Sequence, residues 1–129
     1  MTLEFHRDDR WWVSPFNVGD EVRRSFALPA RVQIHDATLR DGEQTPGVVF
    51  SVADKVAIAE ALAGVGVDRI EAGMPAVSDD DVAAIKQIVR LGLSSKIYTF
   101  VRALTVDIDK SLECGAHGAA AGGSTISQH

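Results

Sequence analysis

From Arg31 onward the chain alternates short apolar runs with longer segments in which apolar residues return every three or four positions. Arg31 to Asp36, carrying Val32 and Ile34, reads as a first strand. Ser51, followed three residues later by Asp54, has the form of a box-like helix cap, and Val52, Val56, Ala59, Leu62 and Ala63 then fall on one helical face. Gly64 to Gly66 ends that helix. Val67 to Ala72 reads as a second strand. Ser78 with Asp81 caps a second helix, whose apolar face is Val82, Ile85, Ile88 and Val89 and which Gly92 closes. Lys96 to Arg102 is a third strand, Thr105 caps a third helix reaching Cys114, and Gly118 to Ala121 could start a fourth strand. Strands alternating with helices of this length predict βαβ units and a parallel sheet. The pattern alone does not separate a closed barrel from an open doubly wound sheet.

Residues 1–30 break this rhythm. They hold both tryptophans (Trp11, Trp12), Pro15 and Pro29, and no sustained period. They read as an extension that packs or caps, with Glu21 to Phe26 forming one or two helical turns. The cluster Trp11-Trp12-Val13 with Phe16 reads as cover for the chain's own core in preference to a subunit interface.

Composition narrows the function. The chain has 129 residues, 46% hydrophobic and 24% charged, an ordinary globular mixture with enough length for one domain. A net charge of −5 argues against nucleic acid or another polyanion as partner. No apolar stretch approaches the roughly 18 residues that cross a membrane, and the acidic, broken start does not read as a signal peptide. The single cysteine, Cys114, rules out an internal disulfide and fits a reducing cytoplasm; it reads as a small core residue.

The chemistry concentrates in His35-Asp36-Ala37-Thr38-Leu39-Arg40-Asp41-Gly42-Glu43-Gln44, with Lys55 further on. An arginine, acids and a glutamine on a glycine-containing turn just after a strand occupy the place where α/β proteins keep their reactive groups. The run Leu-Arg-Asp-Gly-x-Gln-x(10)-Lys resembles the signature of the metal-dependent barrel enzymes that make isopropylmalate, homocitrate and related acids from acetyl-CoA and a 2-oxo acid. That family also holds hydroxymethylglutaryl-CoA lyase and pyruvate-carboxylating enzymes. The resemblance covers about residues 31–118. It implies an α/β fold, a partial (β/α)8 TIM barrel with three βα units and the possible fourth strand, preceded by the extension 1–30. A full barrel of this type needs about 250 residues.

The resemblance also implies roles. Asp41 would bind a divalent cation (Mg²⁺, Mn²⁺ or Zn²⁺), Arg40 would stabilise an enolate oxygen, Glu71 would position a substrate or a neighbouring group, and Gln44 would touch the 2-oxo acid or order the loop. Arg102, ending the third strand, pairs with Glu71 or meets a substrate carboxylate; the residues leave both open. The motif favours function over a mere loop-closing salt bridge for Arg40 and Asp41. Glu71 on an apolar strand needs a nearby cation on either reading. His35 reads as a packed core histidine, and Asp36 as an acceptor of backbone amides in the following loop. Lys55 belongs to the signature yet could be structural. Gly73-Met74-Pro75 reads as a tight loop, and the acids Asp79 to Asp81 as first-turn residues that satisfy free amides and the helix dipole.

Departures from the family temper this. Its metal site is completed by a Gly-x-His-x-His segment, and His6, His35, His117 and His129 do not have that spacing. One carboxylate does not hold a catalytic metal tightly. After Gly118 small residues replace branched ones, which weakens strand propensity and reads as a truncation, a frame change or a decayed copy. The expectation is therefore the N-terminal part of an acyltransferase, inactive alone. A carbon–carbon lyase of the same family, or a non-catalytic half-barrel that self-associates through its open edges, are the alternatives.

Overall fold

The computed structural model describes His6, Arg7 and residues 11–122. The chain divides into two compact units, Met1–Val32 and Gln33–His129. In the first, β1 (His6–Arg7) pairs antiparallel with β2 (Trp11–Trp12), and a short 3₁₀ turn over Pro15–Val18 leads into α1 (Asp20–Arg24). The helix anticipated at Glu21 to Phe26 is thus present, one residue early. Within this unit Trp12 and Phe16 are exposed, at 73% and 83%.

The second unit is a run of βα steps: β3 (His35–Asp36), α2 (Val52–Gly64), β4 (Arg69–Glu71), α3 (Asp79–Arg90), β5 (Lys96–Arg102), α4 (Thr105–Glu113) and β6 (Gly118–Gly122). The four strands form one sheet, all parallel, in the order β3-β4-β5-β6. Sequential order without a reversal is what the wall of a (β/α)8 barrel has, whereas a doubly wound sheet reverses at its switch point. The structure supplies the distinction that periodicity could not.

Local sequence explains each element. At α2 the Ser51 hydroxyl accepts from Asp54 N at 3.2 Å while Ser51 N donates to the Asp54 carboxylate at 2.9 Å, a complete capping box. The helix stops where Gly66 takes a φ of +88°, a conformation open to glycine. Ser78 caps α3 by accepting from Asp81 N at 3.1 Å. At α4 the expectation fails: Thr105 is the first helical residue, and the cap position is Leu104, which offers no side-chain bond. The first strand is also shorter than read. Ile34 still accepts a bond from Arg69 N at 3.0 Å, but Val32 and Ile34 are exposed and the ladder proper begins at His35.

Side chains alternate across the sheet. On β5, Ile97, Thr99 and Val101 are buried, and with Ile70 of β4 they meet the helices; Leu39, Ala59, Ile85, Ile88 and Cys114 complete that core. Cys114 is buried as expected, and desolvation pushes its thiol pKa up. Thr99 and Ser111, both buried, satisfy each other through hydroxyls 2.6 Å apart. Removing a fully buried side chain such as Ile85 would cost about 2–5 kcal/mol. The opposite face carries Tyr98 and Phe100, each half-buried.

The small residues of β6 have a use that strand propensity does not reveal. A Cβ at Gly118 would stand 2.6 Å from the Tyr98 ring, and one at Gly122 would stand 2.2 Å from the Phe100 ring. The two glycines are the floor on which these rings rest. Gly118→Ala is expected to cost about 1–3 kcal/mol by overpacking, and to cost far less when Tyr98 is already alanine. Urea unfolding of the four variants of this cycle measures it, and an equal cost in both backgrounds would contradict the contact.

Candidate functional site

Three strand ends and the loop after β3 assemble the polar cluster. Asp36 turns the chain: its carboxylate accepts from Thr38 N at 2.9 Å and from the Thr38 hydroxyl at 3.1 Å, as its position had suggested. The Ala37 carbonyl then accepts from the amides of Arg40 (3.1 Å), Asp41 (2.7 Å) and Gly42 (3.4 Å), and Leu39 is fully buried beneath. These two anchors leave little freedom to the two residues between them and the 3₁₀ turn Gly42–Gln44, Arg40 and Asp41.

Glu71, the last residue of β4, is 3% exposed. One carboxylate oxygen accepts from Arg40 Nε in a close charged contact, and the other lies 3.2 Å from His35 Nε2. A carboxylate only accepts, so the His35 nitrogen donates. Register makes this possible: His35 pairs with Arg69 and Asp36 with Ile70, which sets His35 on the strand face of β4 that Arg69 shares with Glu71, two residues further on. His35 is therefore not a packed core histidine. Its side chain is about a third exposed and meets the Tyr98 ring edge-on at 5.7 Å.

Arg40 is held on three sides. Besides Glu71, its Nη1 donates to Asp41 at 2.8 Å, and its guanidinium carbon sits 4.5 Å from the centre of the Phe100 ring. Among the described residues its Nη2 has no protein acceptor, and a cavity of about 190 Å³ lies against it, lined also by Gln44, Gly73, Met74 and Val77. A fixed, always-charged guanidinium with an unused donor edge suits a carboxylate or a developing oxyanion. Neither Met74 nor Phe100 was singled out from sequence as a wall of this site, because no local pattern reports which loops meet.

The other anticipated residues fall differently. Arg102 does not pair with Glu71: its side chain is half exposed, and its Nε and Nη2 fork onto both oxygens of buried Asp107, at 2.7 and 2.9 Å. The Arg102 hydrogen bonds hold the Asp107 carboxyl below the usual carboxylate range. Asp81 is not merely a first-turn acid but lies buried against Lys55. Asp41 is 65% exposed. Among the described residues no three of His, Cys, Asp and Glu converge to hold a metal ion. With Glu71 already committed to Arg40 and His35, Asp41 is the one carboxylate of the cluster left for the divalent cation that the resemblance implies, and among the described residues it does not complete a site alone.

Two measurements probe this geometry. Glu71→Ala leaves the largely buried Arg40 with only the exposed Asp41 as counter-charge and is expected to cost up to about 3–5 kcal/mol, while Asp41→Ala, an exposed pair, is expected to cost at most about 1 kcal/mol; equal costs in urea unfolding would refute the arrangement. For Asp107, the folded-state pKa is depressed, so its contribution is present at neutral pH and is lost as pH falls through the folded-state value. Asp107→Asn is expected to flatten the acid limb of the stability profile below the usual carboxylate range, and an unchanged limb would contradict the fork.

Sequence comparison places this geometry among known proteins. A protein of Methanosphaerula palustris provisionally named an (R)-citramalate synthase is 56% identical over 85 residues, 66% of this chain and 17% of that one. A homocitrate synthase of Methanothermobacter thermautotrophicus is 40% identical over 109 residues, 84% of this chain and 27% of that one. A 2-isopropylmalate synthase of Caldanaerobacter subterraneus is 43% identical over 105 residues, 81% of this chain and 27% of that one. The aligned segment thus spans 17% to 27% of the length of these curated relatives. Residues 31–128, well over half of the chain, match the HMGL-like family, and the chain belongs to it.

Proposed function

We propose that this chain provides the opening βα units, and with them the arginine loop, of an acyltransferase that condenses acetyl-CoA with a 2-oxo acid. The observation that carries the reading is Arg40, clamped by Glu71 and Asp41 at the carboxyl ends of parallel strands and lining a cavity. In such a condensation the acetyl methyl loses a proton, and the resulting enolate carbon attacks the ketone of the 2-oxo acid. Negative charge gathers on oxygen in both steps. A preorganised donor is worth several kcal/mol there, about 2.7–4 in an oxyanion hole. Arg40 takes that role, Glu71 and His35 fix its direction, and Gln44 at the cavity rim contacts the 2-oxo acid.

Asp41, exposed and bound on one side only by Arg40, is the carboxylate available to a divalent cation. No step is assigned to the ion, since its further donors are not among the described residues. Arg102, held by Asp107 through Nε and Nη2, shapes the end of β5 and keeps Nη1 for a substrate carboxylate. No helix among the described residues is long and apolar enough to cross a membrane, and a cytoplasmic setting accompanies the reading. The same arginine geometry would serve a carbon–carbon lyase. Self-association is favoured by one feature: β3 and β6 are edge strands of the described sheet.

Two readouts test the proposal. With acetyl-CoA, Mg²⁺ and a panel of linear, branched and dicarboxylic 2-oxo acids, the chain alone is expected to release no free thiol at a steady rate; sustained release that Arg40→Ala abolishes would overturn its expected inactivity. In NMR titrations, at least one 2-oxo acid is expected to shift the Arg40 Nε–Hε and Gln44 amide signals. Silence across the panel would sink the assignment of the cavity to a 2-oxo acid.

A further inference from the structure

Lys55 is the most deeply buried cation of the site region, 3% exposed on the face of α2 that otherwise presents Val52, Val56, Ala59 and Leu62. An apolar residue would pack there without the penalty of several kcal/mol for taking an ammonium out of water. What Lys55 gains is a joint between two loops. Its Nζ donates to Glu43 at 2.6 Å and, in a closer contact, to Asp81. Each of these carboxylates spends its second oxygen on a backbone amide: Glu43 on Phe50 N at 3.1 Å, Asp81 on Met74 N at 3.0 Å. Burial pulls the Lys55 pKa down, but the hydrogen bonds and charges of Asp81 and Glu43 outweigh it and leave the value raised, so the ammonium stays charged.

The two loops so joined are those of the site. Glu43 stands in the 3₁₀ turn that follows Arg40 and ends with Gln44; Met74 follows Glu71 by three residues. Gly73, with φ of +146°, packs so closely that a Cβ would meet the Asp81 carboxylate at 3.3 Å. Glu43, Val77 and Asp81 line both the cavity beside Arg40 and a neighbouring one of about 180 Å³ on the Lys55 side. The ion cluster is the partition between them.

We propose that Lys55 is a positioning residue: through Glu43 and Asp81 it locks the Arg40 loop and the Gly73–Met74 loop into one geometry and so sets the shape of the cavity beside Arg40. The functional meaning of that geometry rests on the arginine reading given above, whereas its test does not, because it is read in the chain without ligand.

The readout is hydrogen exchange at Arg40 Nε–Hε by NMR, with the Ile85 and Ile97 amides as core references. In Lys55→Met the Arg40 proton is expected to exchange at least about tenfold faster while both core amides keep their protection, a local opening in place of a global one. Lys55→Arg, which keeps the charge, is expected to recover most of the protection. Unchanged Arg40 exchange in a folded Lys55→Met chain would overturn the proposal. Should Lys55→Met unfold, Glu43→Gln decides: faster Arg40 exchange with an intact core supports the joint, and unchanged exchange or joint loss of core protection rejects it.

Discussion

A carboxylate drawn out of water at the end of a buried strand must be met by positive charge, and Glu71 imposes that requirement on everything around it. Its desolvation is offset only if Arg40 and His35 arrive with good geometry. Arg40 can arrive because the loop after β3 is wound on the Ala37 carbonyl and anchored by buried Leu39. His35 arrives because the β3–β4 register pairs it with Arg69, which shares its strand face with Glu71 two residues on. The polar cluster is thus a product of sheet register and loop winding together, and neither would suffice without the other.

Much of this was legible in the chain. The βα rhythm, the caps at Ser51 and Ser78, the burial of Cys114 and the need of Glu71 for a cation all follow from residue type and spacing. The partners of charged residues were not legible, and the three helices show why. Asp54, Asp81 and Asp107 each occupy the third helical position, where sequence rightly places an acid. Yet Asp54 closes a local box with Ser51, Asp81 turns inward to Lys55 and Met74 N, and Asp107 reaches back to Arg102. A capping position is written in four residues, whereas a partner 26 positions away is set by how α2 and α3 pack.

The same limit explains the histidine. A histidine on a strand, just before Asp36, reads as core, but the face His35 occupies is the one opposite the helices, with Tyr98 and Glu71. Face assignment needs the register, and a one-residue slip inverts it. The pairing of Arg102 with Glu71, one of the two readings open to it, fails for a related reason. Strand position gave its height in the sheet correctly, but the nearest buried acid lay in the following helix and not across the strands.

The fourth strand carries a consequence for how such a sequence can drift. Gly118 and Gly122 lie under Tyr98 and Phe100, and Phe100 in turn lies under the Arg40 guanidinium. A larger residue at either glycine is tolerable only if the ring above it shrinks at the same time, and losing the Phe100 ring takes away the surface against which Arg40 lies. Residues 98 and 118, and likewise 100 and 122, are therefore sterically coupled, so that a strand with almost no side chains of its own constrains what its neighbour can become.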